Sequence, residues 1–228
     1  MKVAEKLEVI KLKVEEACRK SGRSAADVKI IAVTKYVTTE RAKEALDAGV
    51  SHLGENRDEG LLEKWQVLGN KPVWHFIGSL QTRKVKSVID KLDYIHSLDR
   101  LSLADEINKR TSSKIKCLVQ VNVSGESSKH GLSPNEVVGF IERLADFPNI
   151  RVDGLMTMAP FTNDENQLRK CFITLRELRD KVQKCKFDHA PCHELSMGMS
   201  NDFSIAVEEG ATMVRIGTAL VGEDEQEV

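Results

Sequence analysis

The feature that most constrains this chain is a regular alternation, from one end to the other, of short apolar runs and amphipathic stretches. The runs are Val28–Thr34, Val50–Leu53, Val73–Ile77, Tyr94–Leu98, Ile115–Val123, Ile150–Leu155, Glu194–Met197 and Thr212–Ile216. Most are too short for helices and rich in β-branched residues, as strands buried on both faces are. Helical patterns lie between them. Thr39–Ala48 spaces Ala42, Ala45 and Leu46 along one face and stops at Gly49. Ser133–Asp146 opens on Ser-Pro, a good cap and first-turn pair, and Gln167–Lys184 and Ser200–Glu209 follow the same logic. Eight strand candidates alternating with helices, plus an extra N-terminal helix at Ala4–Lys20, predict a (β/α)8 TIM barrel filling residues 1–228 as a single domain. A doubly wound open sheet is the rival. No G-x-G-x-x-G follows the first strand, which weakens its dinucleotide-binding version.

Charge and cysteine content narrow the class. The 34 Lys+Arg and 35 Asp+Glu nearly cancel, so neither nucleic acid nor an anionic membrane surface is expected as the main partner. No apolar run approaches the ~18 residues of a membrane span. Residues 1–13 alternate charged and apolar side chains, unlike a signal peptide. The five scattered cysteines, with no C-x-x-C pair, read as reduced thiols and point to a cytoplasmic protein.

In a barrel the active face is built at the C-terminal ends of the strands. Reading just past each run gives Lys35, then Glu55 and Asn56, Gly78 and Ser79, Asp99, Ser124, Thr157, Gly198 to Ser200, and Gly217 and Thr218. Lys35 ends the most apolar run. Buried there, its ammonium would be disfavoured and the free amine could attack a carbonyl; otherwise it is a solvated lysine snorkelling from a strand end. Leu195–Ser200, running into a helix, resembles a phosphate cradle in which Ser200 can bond a phosphate oxygen. Gly217 and Thr218 supply the second of the two loops that barrels commonly use for phosphate. Asp202 sits close to such an anion. Arg215 lies inside an apolar strand and needs a partner, either an internal carboxylate such as Glu55 or Asp153, or a ligand's heteroaromatic nitrogen or anion. An imine-forming lysine, a phosphate cradle and an inward arginine suggest pyridoxal 5′-phosphate, although other Schiff-base barrels also place a lysine at a strand end.

Ile31-Ala-Val-Thr-Lys-Tyr36, Gly54-Glu-Asn56, Trp74-His-Phe-Ile-Gly-Ser-Leu-Gln81, Val119-Gln-Val-Asn122, Gly154-Leu-Met156, Leu195-Ser-Met-Gly-Met-Ser200 and Val214-Arg-Ile-Gly217 together resemble the YggS/PROSC family of pyridoxal phosphate homeostasis proteins, itself similar to the N-terminal domain of alanine racemase. The resemblance covers essentially the whole chain. It implies that Lys35 forms a Schiff base with the cofactor and that Arg215 faces the pyridine nitrogen. Ser200, with the backbone at Gly217 and Thr218, would hold the phosphate, and Asn56 would line the ring. The family often carries a Gly-x-Arg element near strand 8, where this chain reads Val221-Gly-Glu-Asp224.

The resemblance also bears on turnover. Strong electron-sink enzymes place an acid against the pyridine nitrogen, and arginine cannot play that part. Alanine racemase adds a tyrosine base from a C-terminal β domain, for which the residues after Ile216 leave no room. Tyr36 and Tyr94 are the only tyrosines, and strand alternation points Tyr36 away from the site. The expectation is a non-catalytic carrier that stores, buffers or delivers pyridoxal phosphate, with pyridoxal phosphate-dependent apoenzymes as acceptors and a monomer or weak dimer as its state. The alternative is a low-activity amino-acid racemase. His189-Ala-Pro-Cys-His-Glu194 fits no established zinc spacing, so no metal site is expected there. His75 reads as a core histidine rather than a general base, and Lys129 as part of a solvated loop.

Overall fold

A computed structural model describes residues 2–126 and 129–222. Glu223 and Asp224 of the terminal stretch therefore lie outside the described residues. The eight runs form eight parallel strands: β1 Lys29–Val33, β2 His52–Glu55, β3 Val73–Phe76, β4 Tyr94–Leu98, β5 Ile115–Gln120, β6 Ile150–Met156, β7 Glu194–Ser196 and β8 Met213–Ile216. They close in sequence order, β8 pairing back onto β1 with Ile31 opposite Arg215, so the barrel is the predicted one and the open sheet is excluded. The helices are α1 Val3–Lys20, α2 Thr39–Asp47, α3 Asp58–Leu68, α4 Val85–Val88, α5 Leu101–Arg110, α6 Val137–Arg143, α7 Glu165–Lys184, α8 Phe203–Glu208 and α9 Thr218–Val221. Among the described residues no helix is long and apolar enough to cross a membrane.

The pattern of burial explains why the runs are strands. Alternate residues face two different cores. Ala32, Leu53, Ile95, Val119, Leu155, Leu195 and Val214 pack outward against the helices, while Ile31, Tyr94, Leu118, Met156 and Met213 fill the barrel itself. The additional helix α1 buries Val3, Leu7, Ile10, Val14 and Ala17 and packs on α8 and α9.

Two helices start later than their sequence patterns suggest. Ser133 does not open α6; its hydroxyl and amide both bond the Glu136 carboxylate, closing a turn that ends where the helix begins. Ser200 does not open α8, because the amides of Asp202 and Phe203 both bond the Met199 carbonyl in a turn of their own. At β2, the Val50 amide bonds the Ala45 carbonyl, which assigns Val50 to the end of α2 and moves the strand two residues on.

Candidate functional site

The C-terminal ends of the strands open into one cavity of about 890 Å3, and Lys35, Asn56, Ser200, Arg215, Gly217 and Thr218 all line it. Six residues drawn from four strand ends thus meet in one space.

β1 ends at Val33, and Thr34 extends the ladder one residue further, its amide bonding the Gly54 carbonyl. The Thr34 hydroxyl turns outward to Glu55 at 2.7 Å, and Glu55 pairs with Lys64 of α3 at 3.1 Å, all three being buried. This pair occupies Glu55 on the outer face of the strands, away from the cavity. Lys35 is exposed at the mouth rather than buried, so its amine reaches the cavity as a solvated group, the second of its two readings. Tyr36 corrects the alternation argument. It adopts φ 66°, lines the same cavity, and its ring lies 5.5 Å from Lys35 Nζ and 5.9 Å from the Arg57 guanidinium carbon. A left-handed conformation is strained for a bulky side chain, and it breaks the two-residue period that strand logic requires.

The loops after β7 and β8 are tied together. Ser200 Oγ accepts the Ala219 amide at 3.4 Å, bridging the two turns and leaving its own hydrogen to donate. Gly198, at φ 93°, lets the first loop close onto α8, where a Cβ would come within 2.6 Å of Ala206 Cβ. Asp202 turns back into its own loop, accepting the Met199 amide at 2.5 Å, and burial raises its carboxyl above the ordinary range.

Arg215 points inward as alternation requires, but neither Glu55 nor Asp153 meets it; Asp153 pairs with Arg151 at 2.5 Å. Its partners are neutral: Nη1 donates to Ser196 Oγ at 2.6 Å and Nη2 to the Thr157 carbonyl at 2.9 Å. Burial lowers this guanidinium to about 10, and Asp202 opposes the shift. Below it lie three histidines of the barrel interior. His96 Nδ1 is 2.9 Å from Ser196 Oγ, His75 Nδ1 is 2.8 Å from His96 Nε2, and His52 Nδ1 is 2.9 Å from His75 Nε2. Burial pushes His75 and His96 well below the ordinary imidazole range, with neighbouring histidines adding to the first and Arg215 to the second. His75 is the expected core histidine. Strand-end reading picks out Thr157, which acts through its carbonyl, but not Ser196, His96 and His52, because they lie within strands.

Gly78 and Ser79 line the same cavity, whereas Asp99, Ser124 and Lys129 are not part of its lining. Asp99 pairs with Arg100 at 2.8 Å, and Ser124 donates to Asn122 at 3.3 Å. Lys129 is held by Glu126 at 2.7 Å, beside Ser127 and Ser128, which lie outside the described residues. In the His189–Glu194 segment His189 bonds the Ile141 carbonyl, His193 meets Gln183, Glu194 pairs with Lys29, and Cys192 is a buried free thiol.

Residues 10–225 match the family described as alanine racemase, N-terminal domain. The chain is 42% identical over 227 residues to the pyridoxal phosphate homeostasis protein of Aquifex aeolicus, covering 98% of this chain and 99% of that one. Its fold superposes with a TM-score of 0.82 on the structure of PipY of Synechococcus elongatus with PLP bound, at 29% identity, covering 96% of this chain and all of that one. An alanine racemase of Clostridium difficile shares the fold alone, with a TM-score of 0.76 at 18% identity; the alignment takes in 99% of this chain and 58% of the racemase. A closed barrel whose mouth gathers a lysine, an inward arginine and two linked loops, matched at this identity over nearly its full length, belongs to the family of pyridoxal phosphate homeostasis proteins.

Proposed function

We propose that this protein holds pyridoxal 5′-phosphate at the barrel mouth through Lys35 and serves to store, buffer or deliver the cofactor rather than to turn over a substrate. The observation that carries the reading is the convergence of Lys35, Asn56, Arg215, Ser200, Gly217 and Thr218 on one cavity. Their chemistry fits the group. Lys35 offers a primary amine to an aldehyde. Ser200 and Thr218 offer hydroxyls, and Gly217 a backbone without a side chain, to a phosphate. Arg215 has spent one N–H on Ser196 and one on Thr157, and it forms no ion pair with a carboxylate among the described residues. Its remaining donors are free for a ring nitrogen or another acceptor.

Bound here, the cofactor supplies a reactive aldehyde and an electron-withdrawing ring. Arg215 can donate a hydrogen bond to that ring but has no acidic proton to hold on its nitrogen at neutral pH, which keeps carbanion stabilisation weak. Racemisation further requires a base on each face of the substrate carbon. Besides Lys35, the proton-accepting side chains of the cavity lining are Tyr36, whose ring lies 5.5 Å from Lys35 Nζ, Glu165, and Asp202, which accepts the Met199 amide, so the non-catalytic part of the reading rests on Arg215. Delivery to pyridoxal phosphate-dependent apoenzymes follows from an open mouth: Lys35 and Tyr36 are exposed, so an acceptor can reach the amine.

The test is a visible spectrum of the purified protein incubated with pyridoxal phosphate, before and after borohydride. The expected result is a yellow protein whose cofactor is fixed by reduction in the wild type and not in Lys35→Ala. A protein that stays colourless with excess cofactor overturns the reading. Proton exchange at Cα of an amino acid, faster than with free cofactor, would overturn the non-catalytic part alone.

A further inference from the structure

The five groups Arg215, Ser196, His96, His75 and His52 form one unbroken hydrogen-bonded chain, and its donor count favours one polarity. Arginine only donates, so Ser196 Oγ accepts from Arg215 Nη1 at 2.6 Å. Ser196 is fully buried, and its single hydrogen has His96 Nδ1 as the neighbour to receive it, at 2.9 Å. Were that nitrogen protonated, the serine hydrogen would be stranded in the core. A buried donor left without an acceptor is costly, so the arrangement in which Ser196 donates is favoured. The proton of His96 is therefore on Nε2, which donates to His75 Nδ1. His75 in turn carries its proton on Nε2 and donates to His52 Nδ1. The chain ends with His52 Nε2–H at a second, smaller cavity under the N-terminal ends of the strands, lined also by Lys29, Ser51 and Lys11. Each group thus donates to the one below it, in one oriented row from the guanidinium at the mouth to His52 at the barrel floor.

We propose that Ser196, His96, His75 and His52 are positioning residues for Arg215: a hydrogen-bond chain of fixed polarity that anchors the guanidinium from below and leaves its remaining donors directed at the bound cofactor. This rests on the cofactor reading above. Mutual polarisation strengthens such a chain along its length, so a change at the floor is felt at the mouth. The Tyr94 ring, stacked on His75 at 4.7 Å between centroids with 6° between planes, holds the middle imidazole in register.

Two measurements test it. The first needs no cofactor: long-range proton–nitrogen NMR of the histidine rings at pH 7, assigned with single His→Gln variants. The expected result is the Nε2–H tautomer for His52, His75 and His96. An Nδ1–H tautomer at His75 or His96 overturns the polarity. The second is titration with pyridoxal phosphate, read as the dissociation constant and the visible absorption maximum. Ser196→Ala removes the hydrogen bond to a charged group, and about a tenfold loss of affinity with a displaced maximum is expected. At the floor, His52→Phe cannot accept from His75, whereas His52→Gln can. The first should weaken binding and move the spectrum at the far mouth, and the second should restore both, a pattern that lost packing alone does not produce. If the wild type binds no cofactor, the functional reading fails and this inference with it. If the wild type binds and Ser196→Ala and His52→Phe bind identically with unchanged spectra, the inference alone fails.

Discussion

Lowering the pH from 7 to 5.5 protonates free imidazoles but must leave His75 and His96 neutral for as long as the barrel stays folded. Both are fully buried, and burial holds each well below the ordinary value of 6.5, with His96 a further cost to charging His75 and Arg215 a further cost to charging His96. The sign follows from linkage. Below pH 6.5 the unfolded chain takes up protons that the folded chain refuses, so acid favours unfolding; above pH 6.5 neither state is charged and the contribution is complete. Each such histidine removes about 1.4 kcal/mol of stability per pH unit in that window, about 3 kcal/mol per unit for the pair. That is a large share of the roughly 10 kcal/mol typical of a domain. His52, lowered chiefly by burial, adds in the same direction. Asp202, whose carboxyl burial raises, opposes with a single group.

The assay is urea denaturation at half-unit steps from pH 7.5 to pH 5.5, for the wild type and for His75→Gln. The expected result is stability that is flat above pH 6.5 and falls steeply below it, with a slope in the variant reduced by about a third to a half. The slope, not the absolute stability, is the readout, so any general weakening by the substitution does not affect it. A wild-type curve with no slope between pH 6.5 and 5.5, or a variant with the full wild-type slope, refutes the assignment of neutral buried imidazoles.

Three further outcomes follow from local geometry. Gly154→Ala places a Cβ within 2.0 Å of the Glu194 carbonyl oxygen, prying β6 from β7, and should cost about 3 kcal/mol in chemical denaturation. Lys64→Met strands Glu55, 1% exposed, against an apolar helix face and should cost about 3–5 kcal/mol; adding Glu55→Gln should recover most of it. Tyr36→Gly relieves the left-handed backbone at φ 66° and should leave stability equal or raise it by about 1 kcal/mol, whereas Tyr36→Val should lower it.

The strands were legible because a parallel barrel buries both faces, so each strand writes itself as a continuous apolar run. What the runs leave open is where a strand starts. Val50 is as apolar as Leu53, yet it closes the turn after α2. Ser133-Pro carries a good helix-start signature, but the nearby Glu136 carboxylate captures the serine and delays the helix. The site residues were legible as a set, since position past a strand end is a property of sequence once the barrel is granted. Their environments were not. Lys35 stands two residues beyond β1 and beside a left-handed Tyr36, so its exposure depends on a turn that alternation does not describe. Alternation faces Arg215 inward, as it stands, but its partners are a hydroxyl and a carbonyl from β7 and the end of β6 rather than an acid. Asp153 sits where the β5–β6 register slips between Cys117 and Leu118, which defeats any estimate of its facing from period alone.

The histidines mark the boundary between what a sequence holds and what closure adds. Each stands inside an apolar run of a successive strand, β2, β3 and β4, where a lone polar residue is conspicuous and reads in isolation as a core histidine. Their relation lies in the register. His52 is opposite Val73, so His75 sits two residues higher; His75 is opposite Tyr94, so His96 sits two residues higher again. Two residues is one inward-facing step of a strand, and parallel strands in a closed barrel are staggered by such steps. The imidazoles therefore form a staircase with the same facing at every tread, each ring reaching diagonally to the next at 2.8–2.9 Å. From β4 the last step crosses the barrel to Ser196 on β7, a contact between residues 100 apart in the chain that only closure can supply. Three polar residues that each look tolerable alone in an apolar strand are tolerated because the stagger lines them up, and the guanidinium at the top is the group whose burial that alignment makes possible.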